Sequence, residues 1–312
     1  MENNFLNIQK LLNDKAQLTA KLNLIPYDGT VEIKEVSSKK YLYIRKRINN
    51  KVTSNYVGIY SDELYSFLLR QVQDAKAIKK QIKLLDKELL KLDYIQEDIP
   101  KNVAINLEFA RANMKSIIYD QAILEGVSTT FPDTELIIEN GKVNNMSSSD
   151  VLKIINLKHA WEFILDKNVI LCPTSYYISQ YVAKIINEGF YYDGGQIRQV
   201  PVRIGGTSYI PRIPSESDVK SDIDNIIQSD IDVIDKAIMI ALYIMKKQIF
   251  IDGNKRTAII LANHYLISQG KGLLVVPYNK VDKFKELLIK YYEDDKIDII
   301  RDFMKQECYD KL

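Results

Sequence analysis

Two apolar segments joined by a short charged loop constrain the fold of this chain more than any other feature. Residues 231–247 are apolar on nearly every face, and a second apolar segment begins at Ala258. A helix that is apolar all round has to be buried. The two segments therefore predict a pair of core helices, and the charged, glycine-containing loop 248–256 between them is more than a surface turn.

The overall composition is that of a globular protein with balanced charge. The 312 residues include 43 basic and 41 acidic side chains, a net charge of +2. This balance argues against a chain that depends throughout on electrostatic attraction to nucleic acid, although local basic patches are compatible with it. Two cysteines, Cys172 and Cys308, and two histidines, His159 and His264, show no spacing typical of a zinc site.

The sequence gives no sign of secretion or membrane insertion. The N-terminal residues lack a basic segment followed by an apolar run, so no signal peptide is visible. The most apolar stretch, 231–245, is interrupted by Asp232, Asp235 and Lys236 and is too short to span a bilayer. We therefore expect a cytoplasmic protein with no membrane partner.

The first hundred residues predict strands followed by one long helix. Residues 31–60 alternate β-forming and charged residues around a turn at 49–51, and Ser61 precedes a helix with a single apolar stripe. The residues of this stripe are Leu64, Leu68, Val72, Ala75, Ile78, Ile82, Leu85, Leu89 and Leu92. Such a helix packs on another helix or a coiled-coil partner, so a structural arm or a homodimer through this helix is the favoured interpretation.

The same hairpin leaves a second interpretation open. It places basic residues near tyrosines, and that combination is typical of nucleic-acid-binding surfaces. The residues concerned are Arg45, Lys46, Arg47 and Lys51 with Tyr41, Tyr43 and Tyr56.

Pro100 marks a boundary, because the residue before a proline resists the helical conformation. We predict an N-terminal domain over 1–99 and a mainly α domain over 100–312. Asn102 is placed as the cap of a helix that Gly126 ends, and 189–214, rich in glycine and proline, predicts a short hairpin or flap. Further helices are predicted from 147–150 onward, over 174–187, 217–228, 231–247 and 254–268, and near 280–293.

The loop 248–256 has the properties of an anion site. The first N–H groups of the following helix lack intrahelical partners, and the helix dipole places partial positive charge there. Gly253 permits close approach of a phosphate, Lys255 and Arg256 add charge, and Asn254 is a hydrogen-bond donor. Asp252 is a candidate Mg²⁺ ligand. From spacing alone, an ordinary Asp-Gly-Asn turn with a solvated first helical turn is the slightly favoured alternative.

The segment Gln248–Ala258, QIFIDGNKRTA, resembles the Fic/Doc motif HxFx(D/E)(G/A)N(G/K)R, with eight compatible positions from Ile249 to Arg256. Three other segments also resemble this family, in the same order. They are Ala122–Thr130 (AILEGVSTT), Asn156–Phe163 (NLKHAWEF) and Arg203–Pro214 (RIGGTSYIPRIP). The resemblance covers roughly residues 103–293. It implies a mainly α, Fic-like helical domain with a short β-hairpin flap, joined to the N-terminal hairpin and long helix.

The resemblance also implies roles for individual residues. Phe250 would anchor the loop, Asp252 would hold Mg²⁺, and Gly253, Asn254, Lys255 and Arg256 would bind the phosphates of ATP. Glu125, at the end of the helix 103–126, would be the family's inhibitory glutamate. The flap 198–212 would hold a target segment by strand addition through Ile204, Gly205, Gly206, Thr207 and Tyr209. Family members usually transfer AMP from ATP to a hydroxyl of a target protein. A Doc-like branch, which shares a lysine at the position of Lys255, transfers phosphate.

Three positions depart from the family pattern. Gln248 occupies the position of the base histidine, and an amide accepts no proton at biological pH, so transfer loses on the order of 10²–10⁴ in rate. Ile259 stands where many members have a second arginine, and Gln121 stands where the inhibitory pattern has Ser or Thr. His264 lies about 15 Å along the second helix and is expected to be a packing or surface residue.

The sequence therefore predicts a Fic-type adenylyltransferase with a degenerate loop and reduced or altered activity, acting on a Ser, Thr or Tyr hydroxyl with ATP and Mg²⁺. The alternatives are a nucleotide-binding pseudoenzyme with a regulatory role and a Doc-like phosphotransferase. A further alternative is an enzyme that removes AMP, with Glu125 activating water.

Overall fold

The computed structural model describes residues 2–23, 25, 27–48, 51–94, 98–140 and 146–312. The chain divides into two compact units, residues 1–95 and 96–312. Most described residues are helical and the strands are short and antiparallel, so the predicted fold class is confirmed. Among the described residues, no helix combines the length and apolarity needed to cross a bilayer.

The N-terminal unit is a three-stranded sheet with two helices. Its elements are α1 (Glu2–Asn23), β1 (Thr30–Val36), β2 (Lys39–Ile48), β3 (Lys51–Ile59) and α2 (Asp62–Lys91). The sheet order is β1-β2-β3, antiparallel throughout. The predicted strands are confirmed, whereas Asn49 and Asn50 of the predicted turn lie outside the described residues.

One face of the sheet builds the core of this unit. Leu42 and Ile44, two residues apart on β2, pack against Leu68 and Val72 of α2. The predicted start of α2 is confirmed, because the Ser61 hydroxyl accepts a hydrogen bond from the Leu64 N–H at 3.1 Å. The helix that packs on α2 is α1, which the sequence analysis did not predict.

The second unit is a helical domain. Its helices are α3 (Lys101–Leu124), α4 (Phe131–Asn140), α5 (Ser148–Ile164), α6 (Lys167–Ile170), α7 (Tyr176–Ile186), α8 (Glu216–Gln228), α9 (Val233–Lys247), α10 (Asn254–Ser268), α11 (Val281–Asp294) and α12 (Ile297–Glu307). Two short strands, β4 (Leu273–Leu274) and β5 (Tyr309–Asp310), pair antiparallel, and a 3₁₀ turn spans Tyr278–Lys280.

The helices on either side of the loop 248–256 form the centre of this domain, as predicted. Every residue of α10 from Arg256 to Leu266 is buried, and α10 contacts α9, α7, α5 and α3. Asp232 caps α9 by accepting a hydrogen bond from the Ile234 N–H at 3.0 Å. The loop is therefore fixed at both ends by core helices.

Two helix starts differ from the prediction. Asn102 lies inside the first turn of α3, which begins after Pro100, and its side chain reaches the Gln269 carbonyl. The predicted helix over 174–187 begins only at Tyr176, since the Thr174 side chain binds His264 instead. The helices α4 and α12 had no counterpart in the sequence analysis.

The predicted hairpin over 198–212 has no paired strands of its own. The segment runs extended around a turn at Gly205 and Gly206, where Gly206 has φ +82°. Its neighbour Ile197 makes an isolated antiparallel bridge with Phe250. One reason is in the sequence: Pro201 and Pro211 have no N–H to donate to a strand ladder.

Candidate active site

The loop 248–256 begins and ends with left-handed backbone. Gln248, the C-cap of α9, has φ +48°, and Gly253, the N-cap of α10, has φ +72°. A left-handed conformation is unusual for a residue with a side chain and persists where surrounding contacts fix it. Gly253 also has no room for a side chain, because a Cβ atom would lie 2.7 Å from Ile186 Cγ2.

Asn254 fixes the conformation of the first half of the loop, residues 248–251. Its side-chain oxygen accepts a hydrogen bond from the Phe250 N–H at 2.9 Å, and its amide donates to the Phe250 carbonyl at 2.8 Å and to Gln248 Oε1 at 3.2 Å. Both amide hydrogens are thereby used within the loop, and the residue is 4% exposed. Asn254 thus positions the loop in this structure, and its expected role as a phosphate donor stays a prediction.

Two further residues fix the loop to the core. Phe250 is fully buried, in agreement with its expected role as the anchor. The Asn187 amide donates to the carbonyls of Asp252 and Gly194, each at 3.0 Å. The backbone just before Gly253 is therefore held by Asn187, the residue that follows α7.

The second half of the loop, residues 252–256, contains a cluster of charges around the buried Arg256. Arg256 is 3% exposed, and its Nε lies 3.4 Å from Glu125 Oε2 while its Nη2 lies 3.1 Å from Asp252 Oδ2. Lys255 Nζ lies 3.6 Å from Glu125 Oε1. The structure thus brings together Glu125, Asp252, Lys255 and Arg256, and Glu125 pairs with both cations.

These charges are not fully satisfied. Arg256 Nε and Nη1 and Glu125 Oε1 are buried and have no hydrogen-bond partner among the described residues. Gly253 makes no side-chain cap, and in the part of the chain that the structure describes the N–H groups of Asn254 and Lys255 have no acceptor. Buried donors without acceptors cost free energy, so this end of α10 is suited to a bound anion.

Gln121 connects the cluster to the core. It accepts a hydrogen bond from Trp161 Nε1 at 2.9 Å and donates to the Arg256 carbonyl at 3.0 Å, which ties α3, α5 and α10 together. Ile259, at the position of the family's second arginine, is 1% exposed and packs in the core. Both departures from the family pattern therefore have structural roles here.

The position of the family's base holds no group that titrates near neutral pH. Gln248 Nε2 donates to the Met245 carbonyl at 2.7 Å, and its oxygen accepts from Asn254. Tyr292 of α11 lies against the Gln248 side chain, and burial raises the pKa of its phenol above the usual value. The phenol is therefore neutral at physiological pH.

His264 is excluded as a substitute base. It is fully buried, with Nδ1 2.8 Å from the Thr174 hydroxyl and Nε2 2.9 Å from the Val169 carbonyl. Burial lowers the pKa of His264 to about 4. The residue is a core packing histidine, one of the two roles expected for it.

Arg198 is one of the residues at this site that were not predicted from the sequence; Asn187 and Tyr292 are others. Arg198 is 3% exposed, and its guanidinium donates to the carbonyls of Gln248, Val200, Pro211 and Arg212. One side chain therefore joins both ends of the segment 198–212 to the end of α9. No local pattern predicts this role, because three of these acceptors, the carbonyls of Pro211, Arg212 and Gln248, lie 13 to 50 residues away along the sequence.

The tip of the segment 198–212 rests on α11. The Thr207 hydroxyl donates to Glu293 Oε1 at 2.8 Å, and the Tyr209 ring stacks on Tyr292 with centroids 6.0 Å apart. Ile204 is half-buried, and Gly205 and Gly206 are exposed. Through Tyr292, which also touches Gln248, the tip lies close to the loop 248–256.

Comparison with known proteins identifies the region that contains this loop. Residues 175–266 match the family model described as Fic/DOC family. A solved structure of Fic-1 (residues 134–508) from C. elegans superposes with a TM-score of 0.52 at 18% identity, covering 78% of this chain and 74% of that one. A Fic domain containing signaling protein from Bacteroides thetaiotaomicron gives 0.52 at 17% identity, covering 62% and 76%. No curated protein matches the chain.

Proposed function

Since residues 175–266 belong to the Fic/DOC family, we propose that this chain is a Fic-type adenylyltransferase of reduced activity. It binds ATP at the second half of the loop 248–256 and transfers AMP to a Ser, Thr or Tyr hydroxyl of a target protein. The observation that carries the proposal is the buried Arg256, with two guanidinium nitrogens unsatisfied beside the free N–H groups of α10.

The residues present fit ATP with Mg²⁺. Arg256, Lys255 and the backbone of Gly253 offer donors and positive charge to phosphate oxygens, and Asp252 is a half-exposed carboxylate next to them. Mg²⁺ commonly uses one or two carboxylates together with substrate phosphates, so one aspartate is enough. Bound Mg²⁺ would offset the negative charge of the phosphates.

The chain's own groups support transfer without a base histidine. The target hydroxyl oxygen forms a bond to the α-phosphorus of ATP, the bond from that phosphorus to pyrophosphate breaks, and the hydroxyl proton passes to solvent. Gln248 cannot accept that proton, which limits the rate. Positioning and charge stabilisation by Arg256 and Lys255 remain available and account for residual activity.

In this proposal, Glu125 occupies the cations of the site when no ligand is bound. Its carboxylate pairs with Arg256 and Lys255, the two cations that ATP phosphates would use. Binding of ATP therefore has to displace Glu125, and this competition lowers the affinity. In the family, the inhibitory glutamate pairs with the second arginine. Ile259 occupies that position in this chain, and the ion pairs of Glu125 with Arg256 and Lys255 take the place of that contact.

Calorimetry and radiolabelling test the proposal together. We expect ATP with Mg²⁺ to bind the wild-type chain and to bind Arg256→Ala about 100-fold more weakly. Arg301→Ala, at an arginine on α12, should bind as the wild type does. ATP labelled at the α-phosphate should label a protein in a lysate, whereas label at the γ-phosphate should not. If the γ-label transfers, the chain is a Doc-like phosphotransferase, and if neither wild type nor Gln248→His labels any protein, the transferase proposal fails.

A nucleotide-binding pseudoenzyme is the second candidate, and the arrangement at Gln248 favours it. That side chain is held by Met245 and Asn254 at the position where the family has its base histidine. This alternative predicts ATP binding with no transfer from wild type. Removal of AMP by water activated at Glu125 predicts that Glu125→Ala loses the ability to release AMP from a modified protein.

A further inference from the structure

The sheet of the N-terminal unit has two faces of different chemistry. The face toward α2 carries Leu42 and Ile44. The opposite face carries the alternate residues of β2, because successive side chains of a strand point to opposite sides. Lys39 and Arg45 are exposed there, and Tyr41 and Tyr43 between them are half-buried.

The tyrosines of this face form a cluster with Tyr56 of β3. The Tyr43 and Tyr56 rings have centroids 5.6 Å apart, and those of Tyr41 and Tyr56 are 6.2 Å apart. Tyr56 is 57% exposed. Lys34 of β1 lies over the Tyr43 ring with its Nζ 4.4 Å from the centroid. The cluster contributes little to the core, which lies on the other side of the sheet.

The charge of the chain is divided unevenly between its two units. Residues 1–95 carry 17 basic and 11 acidic side chains, a net charge of +6, whereas residues 96–312 carry 26 basic and 30 acidic ones, a net charge of −4. The balanced total of +2 hides this difference. A basic unit in an otherwise acidic chain indicates attraction to a polyanion.

We propose that this tyrosine face, defined by Lys39, Tyr41, Tyr43, Arg45 and Tyr56, binds single-stranded nucleic acid. Bases of a single strand stack on the tyrosine rings, and Lys39 and Arg45 on either side of them contact phosphates. Stacking on aromatic side chains requires unpaired bases, which a duplex does not offer. Attraction to an acidic protein would depend on the cations of this face, whereas a single-stranded nucleic acid uses both the cations and the three aromatic rings.

The acidic residue of the face does not oppose this interaction strongly. The Glu32 carboxylate accepts a hydrogen bond from the Ser54 hydroxyl at 2.9 Å and lies 3.6 Å from Lys34 Nζ. The hydrogen bond from Ser54 and the nearby ammonium group of Lys34 therefore offset part of its negative charge. The proposal does not depend on the loop 248–256 or on the enzymatic activity.

Fluorescence anisotropy with the full chain tests the proposal. The probes are labelled oligo(dT) and oligo(U) of about 20 nucleotides, long enough to cover a site of this size, together with a duplex of the same length and a polyglutamate peptide as competitor. We expect the single strands to bind, the duplex to bind at least about tenfold more weakly, and polyglutamate to compete poorly.

Variants separate stacking from simple charge attraction. Tyr56→Ala and Tyr43→Ala should each weaken single-strand binding about tenfold, since each removes one ring on which a base stacks. Tyr43→Phe should keep most of the affinity, because it keeps the ring on which a base stacks and removes only the hydroxyl. Arg45→Ala should reduce the slope of log affinity against log salt by about one. Tyr192→Ala, at a fully exposed tyrosine of the second unit, should change nothing.

Three results would overturn the proposal. One is the absence of single-strand binding at low salt. The second is binding that the tyrosine variants leave unchanged, and the third is equal affinity for the duplex or for polyglutamate. Arg256→Ala should leave oligonucleotide binding intact, so failure here is distinct from failure of the ATP site.

Discussion

The two halves of the loop 248–256 differ in how completely the protein satisfies their polar groups. In the first half, the Gln248 side chain and both backbone groups of Phe250 are hydrogen-bonded, mostly by Asn254. In the second half, Arg256 is 3% exposed, yet its Nε and Nη1 make no hydrogen bond among the described residues, and Nε has only the ion pair with Glu125. The comparison indicates that the first half is a scaffold and the second half is arranged for an anionic ligand.

The largest expected effect comes from placing a general base at residue 248, in the first half of the loop. Gln248→His should raise AMP transfer by about 10²–10⁴, because it restores proton removal from the target hydroxyl. Histidine tolerates left-handed backbone better than most residues, so the loop should keep its shape. The measurement is transfer of α-labelled phosphate. Its rate in the variant should increase as the pH rises through about 6.5, the ordinary pKa of histidine, because the neutral imidazole accepts the proton. Gln248→Asn is the matched control and should stay as slow as the wild type.

The second prediction concerns the ligand-binding half. Arg256→Ala should weaken ATP binding by about 100-fold, because charge-assisted hydrogen bonds to phosphate are among the strong ones. Calorimetry with Mg²⁺ measures the affinity, and Arg301→Ala should match the wild type. Unchanged ATP affinity in Arg256→Ala would remove the basis for treating the second half as the ligand site.

The third prediction tests the scaffold half. Asn254→Ala removes three hydrogen bonds and leaves both polar backbone groups of Phe250 buried without partners, so we expect a loss of about 2 kcal/mol in the free energy of unfolding. Urea denaturation followed by circular dichroism gives this value. Asn225→Ala, at an exposed position on α8, should cost less than about 0.5 kcal/mol. A stable Asn254→Ala that has simply lost ATP affinity would reverse the roles of the two halves.

The smallest effect sharpens the role of Glu125. Glu125→Gln keeps the shape of the side chain and removes the charge that pairs with Arg256 and Lys255, so ATP affinity should rise by about tenfold. The same calorimetric titration measures it, with Glu293→Gln as the control carboxylate outside the charge cluster. Weaker binding in Glu125→Gln would mean that the carboxylate supports the ligand site instead of blocking it.

Some of this organisation could be predicted from the sequence, because it depends on local pattern. The apolar segments around the loop predicted α9 and α10. The first helix was missed because its buried face mixes Leu12, Ala16 and Ala20 with polar residues, which weakens the hydrophobic period.

Other features depend on contacts that no local pattern encodes. The roles of Asn254 and Arg198 follow from which backbone groups come near them after folding. The hairpin predicted over 198–212 was wrong although Pro201 and Pro211 already argued against it. Glu125 was placed by family resemblance, and only the structure brings it within 4 Å of both Lys255 and Arg256.

Arg198 has a practical consequence for redesign. A single guanidinium grips the backbone at residue 200 on one side and at residues 211 and 212 on the other. The stretch between these points is therefore held at both ends through its backbone, and its tip is held on α11 by the side chains of Thr207 and Tyr209. Residues 202–205 lie between these attachments, so their replacement should leave both attachments and the neighbouring loop 248–256 in place.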